Sequence, residues 1–491
     1  MTAEAENGQV LREPSLLDAL IPVAALIGLL AASYLLYGDG AAAGPNQVAL
    51  LFAAVVAIGV GFKNGYRFNQ FTKQITDGIA IGLPAILILL AVGALIGTWA
   101  MCGTITAMTY YGLQILSPEY FYVTAAIVCA LISSGIGSSW TTAATIGIGL
   151  MAISEAMGQS PMITAGAVIS GAYFGDRLSP LSDSTNLATA AAGSKLYEHV
   201  ASSAWTAVPA LLIALAIFLF LGEPGSFDLN EVMAFIEKTT AVSLWSLLPL
   251  VLLLVLAVIR FPPAVAIFLS ALVAGILAIV LNGDAIVAFV DEPDLSTPAT
   301  MVKGIWTALA TGYVGDTGNA KIDDLLTRGG MESMLGTIWL ILSALSFGAI
   351  FEQMGLLNRL TEPLVHRMKS AGSMVAGIVA TCLGANIITS DQYIAIVLPG
   401  RIFKAASESS GESPVLLSRT LGDAGAVTSP LIPWNSCGAY MAATLGVPTF
   451  SYLPYCFFNL ISPVIAVLVA YLRFHLPKRR QASAERAGSQ E

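Results

Sequence analysis

The sequence predicts an all-α polytopic membrane protein with about 11–13 transmembrane segments, arranged as an inverted-topology repeat with two re-entrant hairpins and two broken helices. Three observations support this. Charged residues make up 11% of the 491 residues, whereas soluble domains carry about 25%. Long apolar runs recur along the chain, and its two halves have opposite charge polarity. The composition excludes a soluble enzyme, a disordered chain and a nucleic-acid-binding protein.

The apolar runs are long enough for helical spans, since crossing ~30 Å of hydrocarbon takes about 20 mainly apolar residues. Strands of an outer-membrane barrel would be ~10 residues long and would alternate in polarity, unlike these runs. Residues 1–15 have no basic region before an apolar core, so no cleaved signal peptide is expected. The runs are Leu16–Tyr37, Val48–Phe62, Ile79–Met101, Ala201–Leu221, Leu244–Ile259, Val265–Leu281 and Tyr452–Leu472.

Charge placement predicts the topology, because Lys and Arg collect in cytoplasmic loops. Three segments are basic, whereas segments 223–238 and 282–330 are rich in acidic residues. If the basic segments lie inside and the acidic ones outside, both termini are cytoplasmic. The basic residues are Lys63, Arg67 and Lys73, then Arg359, Arg367 and Lys369, then Arg473, Lys478, Arg479 and Arg480.

The two halves share a succession of patterns: a long helix, two short apolar stretches around a Gly- and Ser-rich interruption, a broken helix and a final span. Ser179-Pro180-Leu181 recurs as Ser429-Pro430-Leu431. Opposite charge polarity makes the repeat an inverted one. The predicted organisation is a polar N-terminal tail (1–15), an N-terminal helix pair (16–74), a first inverted repeat (75–221), a linker with two spans and an acidic outer segment (222–330), a second inverted repeat (331–472) and a basic cytoplasmic tail (473–491).

Four stretches place polar residues in apolar surroundings: Ser133–Thr145, Asp176–Asn186, Asn386–Gln392 and Thr428–Ser436. The first and third lie between short apolar stretches and are predicted to be the tips of re-entrant hairpins. The second and fourth contain Pro, which removes a backbone donor and breaks a helix. Irregular backbone at membrane depth survives where it is buried in protein or lines a wet cavity.

These stretches have the chemistry of a small-cation site. Free carbonyls, hydroxyls and amide oxygens can replace the hydration shell of Na⁺, and carboxylates supply the charge. A partly desolvated carboxylate also takes up a proton when the cation leaves, so Na⁺ and H⁺ can compete for it. The predicted ion- and proton-binding residues are Asp183, Asp391, Asp176, Ser182, Thr185, Asn186, Ser390, Asn435 and Ser436, with Na⁺ held by Asp183, Asp391, Asn186 and Asn435.

Structural roles are open alternatives for several of these residues. Asp183 and Asp391 could cap broken helices, and Asp176 could pair locally with Arg177. Asp423, a possible secondary site, is four residues from Arg419, which favours an ion pair between them.

Other candidates have equally plain alternatives. Glu352 is either a second proton site or an interfacial residue. Ser138, Ser139, Thr141 and Thr142 are either ligands or helix-packing residues. The histidines (His199, His366 and His475) are predicted to be solvated in cytoplasmic loops, and the five cysteines to be core residues without a metal or disulfide framework. The chain has no Walker A sequence and no GxSxG elbow, so no nucleotide-driven pump or hydrolase is expected.

Four blocks carry a resemblance to a known family. Gly171–Ala188 (GAYFGDRLSPLSDSTNLA) closely resembles the signature of NhaC-type sodium/proton antiporters. Thr327–Leu340, Ser390–Phe403 and Thr428–Val447 are similar to three further blocks of that family, and the resemblance covers roughly residues 15–475. Arg177 stands where Lys is common, while Ser184 and Ser390 replace frequent Thr and Ala. These departures remove no carboxylate.

The resemblance implies a multi-pass antiporter of a bacterial inner membrane. It also implies inverted repeats, re-entrant hairpins, a homodimer and elevator-like movement, with Na⁺ and H⁺ as substrates in the lipid bilayer and no cofactor. We therefore expect exchange of cytoplasmic Na⁺ for external H⁺. The alternative is a Na⁺-coupled exchanger or symporter of a small organic acid or amino acid, of the malate/lactate type, with Arg177 or Arg401 facing the solute carboxylate. A channel is less favoured, because the paired broken helices suit alternating access.

Overall fold

The computed structural model describes residues 11–222, 233, 242–315, 327, 329–366 and 370–476. These residues are mostly helical and form no β-strand. The prediction of an all-α polytopic membrane protein is confirmed. Parts of the predicted charge pattern lie outside the described residues, namely Arg367, Lys369, Lys478, Arg479, Arg480 and almost all of the acid-rich segment 223–238.

The first half of the chain forms ten α-helices, several of which are interrupted. A π-helical turn at Ala143–Gly147 joins α6 to α7, so that these helices are continuous. The helices are α1 (Leu16–Tyr37), α2 (Pro45–Lys63), α3 (Phe68–Cys102), α4 (Thr104–Ile115), α5 (Phe121–Ile136), α6 (Ser139–Thr142), α7 (Ile148–Ala156), α8 (Pro161–Leu178), α9 (Asp183–Ala192) and α10 (Leu196–Leu221).

The linker and the second half continue the helical pattern. A second π-helical turn, Leu421–Ala426, directly follows α19. The helices are α11 (Leu248–Val258), α12 (Pro263–Leu281), α13 (Gly283–Val290), α14 (Thr297–Ala310), α15 (Leu335–Gln353), α16 (Leu356–His366), α17 (Ala371–Thr389), α18 (Gln392–Ser409), α19 (Pro414–Thr420), α20 (Ser436–Leu445), α21 (Thr449–Tyr452) and α22 (Phe457–Tyr471).

Eight helices within the described ranges are long and apolar enough to cross a membrane, and the bent pair Thr449–Tyr455 and Phe457–Tyr471 makes up to nine. The sequence predicts about 11–13 segments. The difference arises at the breaks, because interrupted helices such as α8–α9 and α19–α20 are divided into shorter or more polar pieces.

The order of elements in residues 68–221 recurs in residues 331–471. In each half a long helix (α3 or α15) precedes a shorter one (α4 or α16), and a helix–break–helix unit follows (α5 to α7, or α17 to α18). An interrupted helix (α8–α9 or α19–α20) and a final span (α10 or α22) complete each half. This recurrence matches the succession of patterns in the sequence. Helix α3, the first helix of the first half, begins at Phe68, whereas the first repeat was predicted to start at residue 75.

Glycine sets the close approach of α5 and α8. A Cβ atom on Gly171 or Gly175 would collide with the carbonyl oxygen of Ala126 or Ala130, respectively. Small residues at such spacing let helix backbones touch in membranes. Gly137, with φ +78°, lies against the loop after α8, and a Cβ there would be 2.8 Å from the Cβ of Leu181. The break after α5 is thus held against the break after α8.

Candidate ion-binding site

Each of the four predicted polar stretches contains a break that ends in a helix N-cap. The Ser138 hydroxyl accepts from the Thr141 amide at the start of α6, and the Ser182 hydroxyl caps α9. The Asp391 carboxylate caps α18, and the Asn435 side chain caps α20. From the sequence we expected free carbonyls at these breaks. The structure instead brings the amide-rich, positively polarised ends of four helical segments to them.

A pocket with a volume of about 100 Å³ is lined by residues of the first three breaks and by the start of α20. We call it the aspartate pocket. Asp176, Asp183 and Asp391 all line it. The opposite wall is apolar and comes mainly from Ile81–Ile88 of α3, with Pro263 of α12. The structure thus brings Asp391, from the second half of the chain, to Asp176 and Asp183, from the first half, against a wall that offers a cation no ligands.

Asp176 is buried, and its Oδ2 atom accepts a 2.8 Å hydrogen bond from the Ser139 hydroxyl. The suggested local pair with Arg177 does not form, because the two side chains leave α8 in different directions. Arg177 instead pairs with Asp423. Asp176 therefore belongs to the pocket, where the hydroxyl of the first break orients it.

Asp391 combines the two roles that the sequence left as alternatives. Its Oδ1 atom caps α18 by accepting from the amides of Tyr393 (2.8 Å) and Ile394 (3.0 Å). Its Oδ2 atom lies 3.5 Å from the Ser436 hydroxyl. The cap uses one oxygen and fixes the carboxylate, so the second oxygen can face a cation in the pocket.

Asp183 is the first residue of α9 and is exposed, unlike the other two acids. It still lines the pocket. A carboxylate in the first turn of a helix is stabilised by the helix dipole. Its position makes Asp183 the solvent-accessible member of the three.

Several predicted ligands turn away from the aspartate pocket. The Asn186 amide donates to the carbonyls of Pro180 (3.1 Å) and Ser182 (2.8 Å), and the Asn435 amide donates to Asn386. The Thr185 hydroxyl bonds the carbonyl oxygens of Asp176 and Arg177 at the end of α8. The Ser390 hydroxyl is buried without a hydrogen-bond partner. Neither asparagine lines the pocket with Asp183 and Asp391.

The secondary candidates also divide into residues that line the aspartate pocket and residues that do not. Ser138 and Ser139 line the pocket, whereas the hydroxyls of Thr141 and Thr142 bond Ser138 within their own helical turn. Glu352 lines a different cavity.

A sealed polar network (the arginine network) lies on the other side of α8. The Arg177 guanidinium donates to Asp423 Oδ1 (3.3 Å), to the Arg419 carbonyl (2.6 Å) and to His199 Nε2 (2.5 Å). The Thr206 hydroxyl donates to the other Asp423 oxygen (2.9 Å). The Arg177, Asp423 and His199 side chains are buried.

Two predictions are wrong here. Asp423 forms its ion pair with Arg177, 246 positions away, and not with Arg419. His199 is a buried member of α10 and is not solvated, since Arg177 and Ser418 bind its two ring nitrogens. His475, in contrast, is exposed and stacks on Trp205 at 3.8 Å. The side chain of His366 lies outside the described residues.

Five side chains with polar atoms or sulfur line the pocket but were not among the predicted ligands: Trp140, Ser184, Gln392, Tyr393 and Cys437. Gln392 Oε1 accepts from the Ser429 hydroxyl and lies 3.0 Å from the Cys437 sulfur. Trp140 stacks on Tyr440 with ring centroids 4.0 Å apart, which ties the first break to α20. Their position in the sequence could have identified them as lining residues, because each lies directly or almost directly after a residue of a break.

The charges in the pocket can be counted approximately. The ionised forms of Asp176, Asp183 and Asp391 carry three negative charges. Each helix N-terminus contributes roughly +0.5 charge, so the four helical segments that begin at the breaks contribute about +2. The pocket then has a net charge of about −1, which a single monovalent cation or proton neutralises.

Comparison with known proteins gives consistent results. The model of the Na⁺/H⁺ antiporter family matches residues 4–185 and 171–474. The chain is 36% identical to the Na(+)/H(+) antiporter NhaC of Alkalihalophilus pseudofirmus, covering 90% of this chain and 92% of that relative. It is 35% identical to the Na(+)/H(+) antiporter NhaC of Bacillus subtilis (87% and 92%). It is also 32% identical to the Malate-2H(+)/Na(+)-lactate antiporter of B. subtilis (94% and 95%).

Proposed function

This chain belongs to the Na⁺/H⁺ antiporter family, and we propose that it exchanges cytoplasmic Na⁺ for external H⁺ across a bacterial inner membrane. The resemblance of its sequence blocks to NhaC-type antiporters is confirmed by this membership. The cytoplasmic position that we expect for both termini rests on the charge pattern alone.

One observation carries the proposal: two aspartates from the break between α8 and α9 and one from the break between α17 and α18 share one small pocket with an apolar opposite wall. Its net charge of about −1 suits one monovalent cation. In this proposal Na⁺ and H⁺ compete for the same carboxylate oxygens, so that each excludes the other. Exchange then requires no cofactor and no nucleotide.

The helices divide into two groups in this proposal. The interrupted units α5–α9 and α17–α20 carry the ion ligands, and the long helices α1–α3, α12 and α15 form the frame. The pocket lies where the polar breaks meet the apolar face of α3, which is the surface along which an elevator-like movement would slide. A homodimer of such frames would anchor the moving parts.

Na⁺-coupled exchange of an organic acid is the second candidate, because a malate/lactate antiporter is among the relatives. The pocket argues against it. Its volume of about 100 Å³ and its three carboxylates oppose a dicarboxylate by size and by like-charge repulsion. Arg177, which could have faced a solute carboxylate, is buried in the arginine network.

Inverted membrane vesicles test the proposal. Na⁺ added to vesicles with a preformed pH gradient should dissipate that gradient, and the double variant Asp183→Asn/Asp391→Asn should abolish the response. Asp291→Asn, in an exposed turn, is the matched control and should respond like the wild type. A normal response from the double variant would refute the assignment. Uptake of labelled malate, lactate or amino acids that requires Na⁺ would establish the second candidate instead.

A further inference from the structure

A second cavity, with a volume of about 450 Å³, lies beside the final turns of α15. It contains one acid, Glu352, and one base, Arg401, and α18 forms one wall through Leu398, Arg401 and Ile402. The α15–α16 connection forms the other wall. We call it the glutamate cavity. It is distinct from the aspartate pocket, with which it shares no lining residue.

Glu352 is on the face of α15 that packs against the third break. Gly348, four residues earlier, lies directly on Thr389, and a Cβ there would be 2.5 Å from the Thr389 carbonyl oxygen. Residues four apart share a helix face, so Glu352 lies one turn further along the same face. The break that this face touches carries Asp391, the cap of α18.

Helix α18 joins the cavity to Asp391 directly. It begins at Gln392, so at ~1.5 Å per residue Leu398 lies about 10 Å and Arg401 about 15 Å along the helix from its Asp391 cap. Glu352 and Arg401 both line this cavity. The cavity therefore lies between α15 and α18, and α18 connects it to the break that holds an ion ligand.

Glu352 has no structural partner that would explain its position. In the described part of the chain it forms no ion pair, although it is half-buried near the end of a candidate span. Glu362, on α16, is instead exposed and pairs with Arg359. An ionisable residue at membrane depth without a pairing role is a functional candidate, and here it faces a cavity large enough for hydrated ions.

We propose that Glu352 governs cation access to Asp391 through the glutamate cavity, and that Arg401 opposes it. This inference rests on the proposed function. The Glu352 carboxylate raises the local concentration of monovalent cations in the cavity, and the Arg401 guanidinium lowers it. The two side chains together set the Na⁺ concentration at which the aspartate pocket fills from that face of the membrane.

The test measures the Na⁺ concentration for half-maximal exchange at each membrane face, in right-side-out and inverted vesicles at low ionic strength. Glu352→Gln should raise it about 3- to 10-fold at one face only, and Arg401→Gln should lower it at that same face. Added choline chloride should shrink both effects, since salt screens charges. Glu362→Gln is the matched control and should match the wild type.

Equal effects at both faces, an unchanged Glu352→Gln response, or shifts in the same direction for Glu352→Gln and Arg401→Gln would overturn the inference. If Glu352→Gln does not reach the membrane, Glu352→Asp, which retains the charge, should keep the wild-type value, and Arg401→Gln still tests the opposite sign. The two failures are distinguishable. A wild type without Na⁺/H⁺ exchange refutes the proposed function, whereas exchange that is insensitive to both substitutions refutes this inference alone.

Discussion

The aspartate pocket and the arginine network lie on two sides of the same helix end. Asp176 faces the pocket and Arg177, the next residue, faces the network. Successive residues of an α-helix point about 100° apart, so neighbours in the sequence can serve separate sites. The pocket gathers acids around a cavity of about 100 Å³, whereas the network pairs its acid with protein donors on both carboxylate oxygens.

This difference indicates which charges can be exchanged. The pocket acids retain oxygen atoms for a cation or proton, so their charge varies during transport. The network pairs the Arg177 guanidinium with Asp423, and Arg419 contributes its backbone carbonyl. Arg177 can act only as a donor, so His199 Nε2 accepts and the imidazole is neutral, with its hydrogen on Nδ1 toward Ser418. The network is therefore a fixed ion pair next to an exchangeable site.

The largest expected effect is on transport. Asp391→Asn should reduce Na⁺/H⁺ exchange by a factor of about 100 or more, because the remaining oxygen carries no charge, while the melting temperature stays near that of the wild type. Asn is as good an N-cap as Asp, so α18 keeps its start. Parallel exchange and thermal-unfolding measurements check this. A large fall in melting temperature would show that Asp391 is chiefly structural.

The reverse pattern is expected in the network. Asp423→Ala should destabilise the fold by about 3–5 kcal/mol, since it leaves Arg177 buried without its counter-charge. The double variant Arg177→Met/Asp423→Leu should recover most of that loss, because it removes both charges. Thermal unfolding of the purified protein in detergent measures both. If the single variant is as stable as the wild type, the network is not sealed as described.

A smaller effect is expected where one hydroxyl orients a pocket acid. Ser139→Ala removes the 2.8 Å hydrogen bond to Asp176, and a bond to a charged group contributes about 1.5–3 kcal/mol. We expect the Na⁺ concentration for half-maximal exchange to change at least about fivefold, with the fold intact. Thr141→Ala, two residues further along the same turn with its hydroxyl on Ser138, is the control. Equal shifts in the two variants would contradict a specific role for Ser139.

The smallest effect is expected at Asn186. Its amide bonds backbone carbonyls of the loop and it does not line the pocket. Asn186→Ala should change the half-maximal Na⁺ concentration by less than about twofold, in keeping with the small cost of most exposed substitutions. A tenfold loss of Na⁺ affinity would restore it as an ion ligand.

Local features were readable from the sequence, and long-range pairings were not. Proline, glycine and serine in apolar surroundings located all four breaks, since their effect on a helix is local. The meeting of Asp183 and Asp391 in one site was expected from their positions at helix breaks. The partner of Asp423 and the burial of His199 could not be predicted, because packing of α8, α10 and the π-helical turn after α19 creates both. An i,i+4 spacing with Arg419 was a local signal that tertiary packing overrode.

The four N-caps differ between the two halves. At the breaks that follow α5 and α17 the caps are Ser138 and Asp391, and at the breaks before α9 and α20 they are Ser182 and Asn435. The first half supplies its acids around the break before α9, whereas the second half supplies its acid at the break after α17. A cation in the pocket is thus held between a wall with two acids and a wall with one. The two halves thus share a backbone pattern but place their acids differently, so the binding site has one side with more acids than the other.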